Sequence, residues 1–137
     1  MNRLRGIIAC VETSDHLALV DVEVAGDLFT AILVETPESA PWLKAGNPVA
    51  VLFKETEVSL AKELSGRISL RNRMAARVES IRKGKLLSEV RLDYRGQAVV
   101  SVITTRSVER LELAPGDEVE GLVKANEVTL LEDGQDA

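Results

Sequence analysis

Apolar and polar positions alternate with a period of two over most of the chain. From Leu86 to Tyr94, one face carries Leu86, Ser88, Val90, Leu92 and Tyr94. The other carries Leu87, Glu89, Arg91 and Asp93, so the segment predicts a strand. Ala75–Ile81 predicts a strand that stops before Lys83-Gly84-Lys85, and Arg95-Gly96-Gln97 reads as a hairpin turn. Ala98–Ile103 is continuously apolar and β-branched, which suits a buried strand. At Thr104 the period changes: Thr104 or Thr105 as N-cap, followed by Arg106, Ser107 and Glu109, predicts a short helix over Thr104–Leu111. Pro115-Gly116-Asp117 is a turn, and Val119–Lys124 and Glu127–Leu131 are the last strands. The front of the chain predicts strands near Ile7–Val11, Leu17–Val24, Leu28–Val34, Val49–Phe53 and Val58–Leu60, with a short irregular helix over Thr36–Leu43.

The two halves repeat each other. Shifted by 70 residues without a gap, residues 2–60 align with 72–130 and 13 of the 59 positions are identical, among them Asn2/Asn72, Gly26/Gly96, Gly46/Gly116, Lys54/Lys124 and Leu60/Leu130. The chain therefore divides into units 1–62 and 67–131, joined through Ala61–Ile68, with an acidic flexible tail over 132–137. Five short strands and one short helix per unit predict an all-β chain of two tandem small OB-like Greek-key β-barrels. A unit of about 60 residues buries little core by itself, so the two are expected to pack together and to form a homo-oligomer, dimer or trimer.

Composition narrows the chemistry. Aromatics are 3%, namely Phe29, Trp42, Phe53 and Tyr94, so the core must be built from Val, Leu, Ile and Ala. So few aromatic faces argue against a base-stacking nucleic-acid surface, and no direct nucleic-acid partner is expected. The single Cys10 excludes an intrachain disulfide and a cysteine-rich zinc site; aligned with Ser80, it is expected as a small buried residue. The single His16, near a turn, is expected to face solvent and excludes paired-histidine metal motifs. No nucleophile–base pair or metal-ligand cluster stands out, so the expectation is a protein that is not an enzyme. No apolar run approaches the ~20 residues of a membrane span, and a cytoplasmic location without a membrane partner is expected. Charge is uneven: residues 1–64 hold 5 Lys/Arg against 10 Asp/Glu, and residues 65–137 hold 12 of each. Nine basic residues between Arg67 and Arg95 read either as a solvated strand face or as a local positive field for an anion.

Three segments of the second unit carry more specific information. They are Ser69-Leu70-Arg71-Asn72, Val102-Ile103-Thr104-Thr105-Arg106-Ser107-Val108 and Leu122-Val123-Lys124-Ala125-Asn126-Glu127-Val128. In order and spacing they resemble the S-A-R-N, I-T-x-x-S and V-I-K-A-x-x-V signatures of the Mop, or molbindin, family. Two such units in tandem are similar to the "dimop" arrangement of free-standing tandem molbindins, related to TOBE domains, and of the sensor half of ModE-type regulators. The resemblance implies binding of molybdate or tungstate as an intact oxyanion, with no directly coordinated metal, at a site between barrels. It also implies Ser69, Arg71, Thr104, Ser107, Lys124 and Ala125 as ligand contacts. Asn72 is a further candidate whose alternative role is to tie backbone through its amide. The residue types suit a tetrahedral dianion, which needs hydroxyl and N–H donors and local positive charge.

The first unit departs from these signatures. Val34 stands at the place of Thr104, Pro37 at that of Ser107, Glu55 at that of Ala125 and Met1 at that of Arg71; Lys54 is the only charged ligand retained. Pro37 lacks an N–H and Glu55 brings a carboxylate, so the first unit is expected to bind no oxyanion by this motif and to serve as a structural partner. Two functions stay open: intracellular oxyanion storage or homeostasis, and the ligand-sensing part of a regulator or transporter. A nucleic-acid-binding barrel ranks behind both.

Overall fold

Alternate patterning becomes alternate burial in the computed structural model, which describes residues 1–133. The elements are β1 (Asn2–Ser14), β2 (Leu17–Val24), β3 (Asp27–Leu33), β4 (Pro48–Phe53), β5 (Ser59–Ala61), β6 (Asn72–Lys83), β7 (Leu87–Tyr94), β8 (Gln97–Thr104), α1 (Thr105–Arg110), β9 (Glu118–Val123) and β10 (Thr129–Glu132). Single 3₁₀ turns, Glu55–Glu57 and Ala125–Glu127, precede β5 and β10. The strands form two antiparallel five-stranded sheets, ordered β10-β4-β1-β2-β3 and β5-β9-β6-β7-β8. In each, the long first strand serves two partners: in β1, residues from Asn2 to Ile7 pair with β4, and residues from Ile7 to Ser14 pair with β2. This is how a short chain curls into an OB-like barrel.

The offset of 70 extends to the backbone. The register of β1 slips between Ile8 and Cys10, and that of β6 between Val78 and Ser80. Both two-residue hairpins, Ala25-Gly26 and Arg95-Gly96, have positive φ at both positions, as a type I′ turn requires. The slip corrects one expectation. A one-residue bulge turns the following side chains over, so Cys10 is exposed and Val11 continues the inward face. A second correction concerns Thr36–Leu43, which forms successive turns rather than a helix. Thr36 O accepts from Ser39 N and Ala40 N, and Pro41 has no N–H with which to continue. In the second unit, Thr104 is the N-cap as expected. β8 is less buried than its apolar run predicts: Val99 and Ser101 are enclosed, while Val100, Val102 and Ile103 are partly covered. Of the expected tail, Glu132 pairs with Val49 and Asp133 accepts from Arg3; the remainder lies outside the described residues.

The repeats exchange their last strands. β10, from the second repeat, pairs with β4 of the first (Leu130 opposite Val51), and β5, from the first, pairs with β9 of the second (Leu60 opposite Gly121). Two asparagines at the same repeat position join the barrels as well. Asn72 Oδ1 accepts from Thr30 N at 2.7 Å and its Nδ2 donates to Thr30 O at 3.0 Å. Asn2 makes the same pair with Val100, at 2.9 and 2.8 Å. Thr30 and Val100 are themselves 70 residues apart, so the two staples are mirror uses of one device.

One apolar cluster runs through both barrels, built largely of valines. Phe29 and Tyr94 cross the junction with ring centroids 6.4 Å apart, tilted by 54°. The Tyr94 hydroxyl donates to Asp27 at 2.6 Å; burial, reinforced by that bond, pushes the phenol well above its ordinary pKa.

Two outcomes are expected. Asn72→Ala leaves the buried N–H and C=O of Thr30 unpaired, at about 1–3 kcal/mol each, so urea unfolding should show a loss of about 2–6 kcal/mol; a loss below about 1 kcal/mol would count against the staple. A Cβ at Gly6 would lie 2.4 Å from Val22 Cγ1 and 2.9 Å from Val24 Cγ2. Gly6→Ala should therefore destabilise by about 1–3 kcal/mol, although the same repeat position holds Ala76 in the second unit.

Candidate functional site

Arg71 and Asn72 lie where the chain enters β6. Asn72 is completely buried and its amide is engaged with Thr30 in both directions, so it acts as a staple. Arg71 stays exposed and reaches the same residue, donating from Nε to Thr30 Oγ1 at 3.2 Å. Thr30 Oγ1 in turn donates to Asp21 Oδ1 at 2.7 Å. Ser69 is exposed in the loop before β6.

Thr104 and Ser107 start α1. Ser107 N donates to Thr104 Oγ1 at 3.1 Å, and Thr104 Oγ1 donates to Ser107 Oγ at 2.8 Å. The cap thus spends the Thr104 proton internally and leaves the Ser107 hydroxyl proton to point elsewhere. Ser107 lines a groove of about 210 Å³ with Arg110 and Leu111 of the second repeat and Ser59 and Leu60 of the first. Arg110 had no place in the motif reading. Its signal was the spacing of three from Ser107, which puts both on one helix face.

Lys124 and Ala125 open the second 3₁₀ turn. Glu127 Oε1 accepts from Lys124 N at 3.2 Å, and Glu127 N donates to Lys124 O at 2.9 Å, which fixes the backbone of the turn. The Lys124 side chain is exposed and has no hydrogen bond or ion pair among the described residues. Arg73, by contrast, is held by Glu120 through two bonds of 2.8 Å.

Apart from Ser69, the candidate residues fall into two groups, each lying against the other repeat. The 3₁₀ turn that carries Ala125 packs on β3 of the first repeat, and the turn Glu55–Glu57 packs on β8, which ends at Thr104. Among the described residues, no hydrogen bond or ion pair links Ser69, Arg71, Lys124 or Ala125 to Thr104 or Ser107. On the first repeat, Val34 is 80% exposed and Pro37 is exposed, so the positions of Thr104 and Ser107 offer no side-chain donor there. Glu55 pairs with the Met1 ammonium, which holds its carboxyl below the usual carboxylate range.

Among the described residues, no group of His, Cys, Asp and Glu could hold a metal ion, and no helix is long and apolar enough to cross a membrane. Residues 68–130 match the TOBE domain family. The fold superposes on a solved structure of the cytoplasmic molybdate-binding protein ModG with molybdate bound, at a TM-score of 0.89 and 30% identity, covering 95% of this chain and 94% of that one. The molybdenum-pterin-binding protein MopA of Rhodobacter capsulatus is 33% identical over 133 residues, 92% of this chain and 50% of MopA. The molybdenum import ATP-binding protein ModC of Brucella abortus (strain 2308) is 31% identical over 123 residues, 89% of this chain and 32% of ModC. The chain thus spans a third to a half of the length of these curated relatives. With two exchanged OB-like barrels and the three motifs in order on the second, the chain belongs to the molbindin (Mop) family.

Proposed function

We propose that the protein binds molybdate or tungstate as an intact oxyanion and serves its storage or homeostasis, without converting it chemically. The observation that carries this reading is the full donor set of the second repeat, on a chain that superposes over 95% of its length on a protein solved with molybdate bound. Ser69, Arg71, Lys124 and Ala125 form one wall of the site, and Thr104 and Ser107 the other. Because the two walls face different parts of the first repeat within one chain, they meet when copies of the chain associate as a dimer or trimer. Asn72 positions Arg71 and makes no direct ligand contact. A second reading, a ligand-sensing module of a transporter or regulator, is favoured by the match to one third of the ATP-binding protein ModC.

Calorimetry should show heat with molybdate and tungstate and far less with sulfate, whose smaller radius underfills the site. No heat with either metal oxyanion at millimolar concentration would remove the proposal. Lys124→Ala and Ser107→Ala each delete a bond to a charged ligand, worth about 1.5–3 kcal/mol, so each should weaken binding at least about tenfold. Lys54→Ala should leave affinity unchanged; equal losses at Lys54 and Lys124 would make the first repeat a site too. Co-expressed Lys124→Ala and Ser107→Ala chains should regain part of the sites lost in either alone, because each supplies the wall the other lacks.

A further inference from the structure

The geometry points to Asp21 and Thr30 of the first repeat as positioning residues for Arg71, an assignment that rests on the oxyanion reading. Asp21 and Thr30 sit directly opposite each other in β2 and β3. A carboxylate only accepts, so the single Thr30 hydroxyl proton goes to Asp21, at 2.7 Å. The oxygen lone pair is thereby turned to Arg71 Nε–H, at 3.2 Å. Meanwhile Asn72 grips the Thr30 peptide on both sides, which fixes the residue that does the aiming. An arginine held at Nε keeps both terminal nitrogens for a ligand, and its fork is oriented before the anion arrives.

The repeat supplies an internal control. At the mirror junction Asn2 staples Val100, which has no hydroxyl, and Arg91 stands where Asp21 does. The staple therefore forms without the hydroxyl, and the Asp21–Thr30 relay is present only beside the repeat that carries the arginine. The first repeat, which lacks most of these donors, thus contributes to binding by orienting a donor of the second.

The test is calorimetry with molybdate on the full chain, with thermal unfolding in parallel. Thr30→Val, which copies the mirror junction, should weaken binding about five- to tenfold, with stoichiometry and Tm held. Thr30→Ser, which keeps the hydroxyl, should restore affinity. Asp21→Ala, which removes the acceptor of the Thr30 proton, should weaken binding in the same direction and gives the answer should Thr30→Val lower Tm. In an Arg71→Met background, Thr30→Val should cause no further loss. Wild-type affinity in both Thr30→Val and Asp21→Ala, or an equal loss from Thr30→Val with and without Arg71, would overturn the assignment while leaving the oxyanion reading standing. A wild-type chain that binds no molybdate would overturn both.

Discussion

An unpaired strand edge is what neither repeat can close for itself. Each barrel lacks its last strand until the other repeat lends one, so β5 and β10 cross in opposite directions. Backbone pairing, rather than side-chain packing alone, therefore unites the two units. The asparagine staples and the Phe29–Tyr94 contact reinforce a junction that the exchange has already imposed. The common core follows from it, because strands from both repeats contribute to each barrel. Separating the two repeats would strip a strand from each barrel.

The same exchange sets where the donors stand. The 3₁₀ turns lead directly into the traded strands, so Lys124 and Ala125 are carried onto the first repeat, and Lys54 and Glu55 onto the second. The division of charge then acquires a meaning. The acidic first half presents Val34, Pro37 and Glu55 at the motif positions, yet it also holds the Thr30 that Arg71 touches. Among the described residues, a chain acidic overall keeps an unpaired cation, Lys124, where the motif requires one.

Much of the fold was legible because it is local. Period-two alternation, the hairpins at Gly26 and Gly96, and the Thr104 cap each depend on a few neighbouring residues. The offset of 70 made the repeat visible without a structure. The exchange stayed hidden because Leu60 and Leu130 are identical in the two copies, and an apolar pattern does not say which sheet a strand joins. The exposure of Cys10 depended on a bulge that leaves no composition signal. At the site, residue types were readable from the motifs. The Asp21–Thr30–Arg71 chain was not, since it joins residues 41 positions apart through a hydroxyl that resembles any other strand threonine.

The staples also carry a lesson about symmetry. Two identical chains exchanging strands would present the same residue at both junctions, so any change at one would be imposed on the other. Joining the two units in one polypeptide lifts that restriction. Thr30 and Val100 occupy equivalent places and have been free to differ, one junction acquiring a hydroxyl relay and its twin remaining plain. A duplicated architecture can in this way hold one half constant for stability while the other specialises, with neither change having to be tolerated twice.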